Sequence, residues 1–185
     1  MTVHVEDAAN NELLPGDHQT IHIRRNDVTL PSGENGVTEY ASQGTGLGVV
    51  IIPTTIGGHR LLTRRFRHSI DSLVWEFPRA IVSKISVAEA ERCLFEITGV
   101  QATCRMIGAL SPDPSALNTQ YGVYEAYVDA DASEGQLPEI SSVTSESEWF
   151  SEERFALHVR DSELNDAITL AAIAMQSIET LTSNF

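Results

Sequence analysis

Apolar and polar residues first alternate between Gln19 and Arg25, where Ile21 and Ile23 fall on one side and polar neighbours on the other. This period of two is that of a half-buried strand. Asp27 to Leu30 continues extended, Pro31-Ser32-Gly33 turns, and Val37 to Ala41 returns, so a small β-meander stands ahead of the main domain. Residues 1–17 are polar without a period and are expected to form a loose tail. Leu47 to Ile52 is an apolar, β-branched run, as in a strand buried on both faces. Gly57-Gly58 suits a hairpin turn into Arg60-Leu61-Leu62-Thr63, and Ser72 to Phe77 reads as another strand.

The period then changes. Ser86-Val87-Ala88-Glu89 fits a capping box, with Ser86 accepting from a free helix amide and Glu89 reaching back. Ala90, Leu94 and Ile97 follow at helical spacing, and Gly99 is placed to end the helix in a left-handed conformation. Strands resume at Cys104 to Leu110 and at Gln120 to Val128, separated by a Pro-rich loop, and Glu148-Trp149-Phe150 is a short strand. The Ser/Glu-rich stretch between Ser141 and Ser151 reads as a loop. A last helix starts near Asn165, with Leu164, Ile168, Ala171, Met175 and Ile178 as its apolar stripe. Strands, one central helix, more strands and a terminal helix predict an α+β fold or an α/β sandwich.

Composition narrows the function classes. The chain of 185 residues carries 12 Lys and Arg against 26 Asp and Glu, a net charge of −14. That balance argues against a nucleic-acid or membrane partner held by a broad basic face. The charge is uneven, however. Between Arg60 and Arg105 stand eight basic and five acidic residues, so this segment is +3 and the remainder −17. Such an island suits a small phosphorylated ligand; local pairing of the arginines with acids is the alternative. Cys93 and Cys104 form neither a metal-ligand pattern nor a disulfide framework. The amino terminus lacks the basic start and apolar run of a signal peptide, and no apolar run is long enough to span a bilayer. A soluble, cytoplasmic protein is expected.

The stretch Trp75 to Val100, WEFPRAIVSKISVAEAERCLFEITGV, resembles the Nudix hydrolase family, and within it the ADP-ribose pyrophosphatase branch. Arg92-Cys93-Leu94-Phe95-Glu96-Ile97-Thr98-Gly99-Val100 is similar to the second half of the Nudix box, and Glu76-Phe77-Pro78-Arg79-Ala80 to the branch's Glu-Phe-Pro-Ala-Gly. Asp27 to Tyr40, Arg64-Arg65-Phe66-Arg67-His68, Ser111-Pro112 and Leu164 to Thr169 resemble further segments of the branch, in its order, over roughly residues 20–180. The resemblance implies a Nudix-type α/β/α sandwich at 45–185 and an amino-terminal β annexe at 18–44 that contributes to a homodimer. It also implies a small nucleotide-type ligand.

The chemistry implied by the family is pyrophosphate hydrolysis with Mg²⁺ or Mn²⁺ held by glutamates on one helix face. Hard cations of this kind take oxygen ligands. The three box positions are here Cys93, Glu96 and Ile97, the box's earlier glutamate falls near Lys84, and the loop that carries a catalytic glutamate reads Ser115-Ala116-Leu117-Asn118. An amide at Asn118 can orient a water but cannot take its proton. Glu96 is therefore both the remaining catalytic and metal-ligating candidate and, four residues from Arg92, a candidate intrahelical ion-pair partner. Cys93 reads as a small buried hydrophobe and Ile97 as core. The substrate-binding candidates implied by the resemblance are Arg67, Glu76, Arg79 and Arg92. A guanidinium can grip phosphate without a metal, and pairing of Arg67 and Arg79 with Asp71 and Glu76 is the alternative. His68 reads as a strand-surface residue; Trp75 and Trp149 read as core or as base-stacking groups. Two functions stay open: a metal-dependent hydrolase of ADP-ribose-like substrates, and a non-catalytic module that binds a nucleotide or a protein. The box composition favours hydrolysis that is lost or strongly weakened.

Overall fold

The computed structural model describes residues 3–7, 21–128 and 146–182. The chain opens with β1 (Val3–Asp7), β2 (Ile21–Thr29) and β3 (Asn35–Gln43), which form a separate three-stranded sheet in that order. Strands β4 (Leu47–Thr55), β5 (Arg60–Arg67), β6 (Ser72–Glu76) and β7 (Arg79–Ile81) lead to helix α1 (Val87–Thr98). Then come β8 (Cys104–Leu110), β9 (Gln120–Val128), β10 (Glu146–Phe150), α2 (Glu152–Arg160) and α3 (Ala167–Thr182). The second sheet runs β10-β5-β4-β9-β8, with β6 paired to β5 and β7 to β4. Only β4 and β9 pair in parallel there; the other pairings are antiparallel.

Strand β4 shows why this becomes a sandwich. Its successive side chains point to opposite faces. Val49 and Ile51 join Ala90, Cys93 and Leu94 of α1 in one core, whereas Val50 and Ile52 join Phe155 of α2 and Ala172 of α3 in the other. A strand with a continuous apolar run from Val49 to Pro53 is thus covered on both sides, as its composition predicts. The approach is close. A Cβ on Gly48 would lie 2.4 Å from the Tyr121 ring, so only glycine fits there.

Helix α1 begins and ends as expected. Ser86 Oγ accepts from the Glu89 amide at 3.4 Å, and Gly99 closes the helix with φ 71°. The Glu89 carboxylate, however, accepts from Arg92 at 2.5 Å instead of returning to the cap. The annexe is pinned to the loop before β9: Ala41 N donates to Ala116 O at 2.7 Å and Asn118 N to Ala41 O at 3.1 Å.

Four expectations need correction. Within the stretch read as a loose tail, Val3–Asp7 forms β1, parallel to β2 through Val3↔Ile21 to Asp7↔Arg25; the remainder of 1–17 lies outside the described residues. The stretch read as a loop up to Ser151 contains β10 from Glu146, because Glu146 to Phe150 completes the free side of β5; residues 141–145 lie outside the described residues. Helix α2 was not expected, since Phe155 is its only buried residue and no apolar stripe announces it. Of the apolar stripe expected for the last helix, Leu164 is buried and Ile168 and Met175 pack against the core, but the fully buried positions of α3 are Thr169, Ala172 and Gln176, and Ile178 is 61% exposed. The face is turned by polar bonds: Gln176 Oε1 accepts from Arg60 Nε at 3.3 Å, and Thr169 is fixed as described below.

Candidate functional site

Strands β5 and β6 form an antiparallel ribbon in which Thr63 faces Glu76 and Arg67 faces Ser72. Period two places Thr63, Arg65 and Arg67 on the same face as Glu76. Glu76 has no exposed surface, yet it is well partnered. Arg67 donates from Nε to Oε2 at 3.0 Å and from Nη2 to Oε1 at 2.5 Å, while Arg79 Nη2 donates to Oε2 at 3.0 Å. Arg65 Nε stands 3.9 Å from Oε1. A carboxylate enters an interior only with such compensation.

The network extends to α3. Arg79 Nη1 donates to Asp166 Oδ2 at 2.8 Å, and the same oxygen accepts from the Thr169 amide at 2.9 Å and hydroxyl at 2.8 Å. Thr169 Oγ1 in turn accepts from the Phe77 amide at 3.0 Å. Asp166 therefore caps α3 and neutralises Arg79 in one position. Three guanidiniums against two carboxylates leave the cluster one positive charge in excess.

On α1 the box positions diverge. Cys93 is 1% exposed, and burial pushes its thiol up to about 12, so it stands neutral beside the cluster at neutral pH. Ile97 is half-buried and packs against the α1 core. Arg92 donates to Glu89 at 2.5 Å and to Glu96 at 2.7 Å on the solvent side of the helix, where the Glu96 side chain is 56% exposed. Bonds to these two carboxylates raise the proton affinity of Arg92 above its ordinary value.

The structure thus brings Arg67, Glu76 and Arg79 together and places Arg92 and Glu96 apart from them as an exposed ion pair. Of the pairing expected for the arginines, Glu76 is the partner; Asp71 occupies the β5–β6 turn at φ 49° and makes no ion pair among the described residues. Lys84 is exposed before α1. His68 sits edge-on to Phe66, ring centres 4.9 Å apart. Trp75 packs on Phe150 and Trp149 lies in a small core with Leu61 and Val128, so both indoles are core residues. The Asn118 backbone N–H donates to Ala41 O of the annexe, and its side-chain amide lies next to Gly46. Sequence reasoning missed Arg65, Asp166 and Thr169. The Asp-x-x-Thr spacing at 166–169 was a readable cap signal, but nothing local links it to Arg79.

The donor set does not suit Mg²⁺ or Mn²⁺. Glu76 is occupied by arginines, Glu96 is exposed and paired, and Cys93 offers a neutral thiol. Among the described residues no group of three His, Cys, Asp or Glu side chains could hold a metal ion. No helix among them is long and apolar enough to cross a membrane.

No family model matches the chain, and no curated protein is close enough in sequence to match it. Among solved structures, the chain is similar to an ADP compounds hydrolase, with TM-score 0.66 and 19% identity over 88% of this chain and 86% of that one. At that identity the likeness shows the fold, and it is the Nudix-type mixed α+β sandwich with an amino-terminal β annexe.

Proposed function

We propose that the protein binds a nucleoside diphosphate linked to a second moiety, of the ADP-ribose kind, and that metal-dependent hydrolysis of such a ligand is lost or strongly weakened. The observation that carries this reading is the composition of α1 at the three box positions: a buried neutral thiol at Cys93, a half-buried Ile97 and a Glu96 engaged by Arg92. These groups offer divalent cations one exposed carboxylate where several are needed. The cationic half of a phosphate site remains in the cluster of Arg65, Arg67 and Arg79, in which Glu76 and Asp166 hold part of the guanidinium N–H groups and the others match phosphate oxygens. The ligand class is supported by the likeness to an ADP compounds hydrolase.

Binding is tested by thermal denaturation with ADP-ribose and a panel of nucleotide sugars. A ligand at 100 times its dissociation constant adds about 2.7 kcal/mol of stability. The expected result is a rise in Tm with at least one diphosphate ligand and none with adenosine; no shift with any member of the panel would overturn the reading.

A further inference from the structure

Arg65 differs from its neighbours. Among the described residues its guanidinium makes no hydrogen bond; the nearest carboxylate oxygen, Glu76 Oε1, is 3.9 Å from Nε. Both oxygens of that carboxylate already accept from Arg67 or Arg79 at 2.5 to 3.0 Å. The Arg65 side chain is only 21% exposed, so it has given up much of its water without gaining a bonded partner. That withdrawal lowers its proton affinity, Glu76 opposes the effect, and the neighbouring Arg67 and Arg79 reinforce it. The Cys93 thiol on α1 lies within electrostatic reach of Arg65 and, being neutral, brings no charge to balance it.

No nitrogen of Arg65, Arg67 or Arg79 is both sealed from solvent and without a partner. The unspent N–H groups, Nη1 and Nη2 of Arg65 and Nη1 of Arg67, are therefore reachable from outside. They belong to a cluster with one positive charge in excess. An oxyanion would supply the missing acceptors and the missing charge together.

We propose that Arg65, with Nη1 of Arg67, forms a metal-independent oxyanion subsite that takes a phosphate group of the ligand. The subsite deepens the ligand-binding reading and rests on it only for the identity of the phosphate's owner. Glu76 already holds Nε and Nη2 of Arg67, and Glu76 and Asp166 hold both Nη atoms of Arg79, so the incoming phosphate meets Arg65 and Nη1 of Arg67.

The test is isothermal titration of the full chain in excess chelator, with inorganic pyrophosphate and ADP-ribose as separate probes and adenosine as the uncharged control. Pyrophosphate is expected to bind the unaltered protein, to lose at least tenfold in affinity with Arg65→Gln, and to retain part of it with Arg65→Lys. Arg65→Gln should melt at or above the unaltered protein in anion-free buffer, because it removes a cation that has no bonded partner. Cys93→Asp is the second variant: an internal carboxylate beside Arg65 should compete with pyrophosphate while every arginine stays in place. Failure of pyrophosphate to bind in chelator, or undiminished binding to Arg65→Gln and Cys93→Asp, would overturn the subsite. ADP-ribose binding insensitive to Arg65→Gln would remove the subsite and leave the ligand-binding reading standing. Pyrophosphate binding with no ADP-ribose binding would do the reverse.

Discussion

Glu76 is shut off from water and shared by three arginines, so its worth is best seen by removing its charge. Glu76→Gln leaves Arg67, Arg79 and Arg65 crowded in a part-buried site without their common counter-ion. Breaking a buried pair in this way costs about 3–5 kcal/mol, and chemical denaturation should read a loss of that order. An unchanged unfolding midpoint would mean that the arginines rearrange into solvent. The thiols make a second prediction at this scale. Burial raises Cys93 from 9.0 to about 12 and Cys104 to about 11. The folded state therefore keeps protons that the unfolded chain releases, so this contribution is intact below pH 9 and fades as pH rises from 9 towards 12. Urea midpoints should fall over that window, and Cys93→Ala should make the fall shallower. Pairing of the arginines with Glu76 was legible in the sequence, since Glu76 and Arg79 lie three residues apart and Arg67 nine away. Asp166 was not, because 87 residues separate it from Arg79 and only the folded chain brings them together.

Elements that bury many residues announced themselves; elements that bury few did not. Strands β4, β8 and β9 appear where apolar or alternating runs placed them, and α1 lies between its cap and its glycine. Strand β7 has three residues and α2 a single buried side chain, so neither carries a period long enough to read. Helix α3 was legible in extent but only in part in rotation: Ile168 and Met175 pack inward as expected, whereas Thr169 and Gln176 are buried through specific hydrogen bonds and Ile178 is exposed. Asp166 is the residue that sets this rotation, since it caps the helix and ties it to Arg79. Losing the cap alone costs about 1 kcal/mol, and loss of the Arg79 pair adds to it. Asp166→Ala should speed amide hydrogen exchange at Thr169 and Phe77 by tenfold or more. Unchanged exchange at both amides would show that core packing of Ala172 alone orients the helix.

At the scale of the whole molecule, the uneven charge and the fold describe one arrangement. A charge of −17 is spread outside a segment of +3 that supplies β5, β6, β7 and α1, the elements around the arginine cluster. The fold was legible because a period of two and a period of 3.6 alternate clearly along the chain. The site was legible only in part: the four-residue spacing on α1 pointed to the Arg92–Glu96 pair, but nothing in it showed that the pair stands apart from Arg67, Glu76 and Arg79. Turnover separates the proposed binding without hydrolysis from catalysis. The purified chain is incubated with ADP-ribose and excess Mg²⁺ or Mn²⁺, and AMP is quantified over time. The account predicts ADP-ribose recovered intact, with no metal-dependent AMP above the protein-free control. Sustained metal-dependent release of AMP that Glu96→Gln abolishes would contradict it.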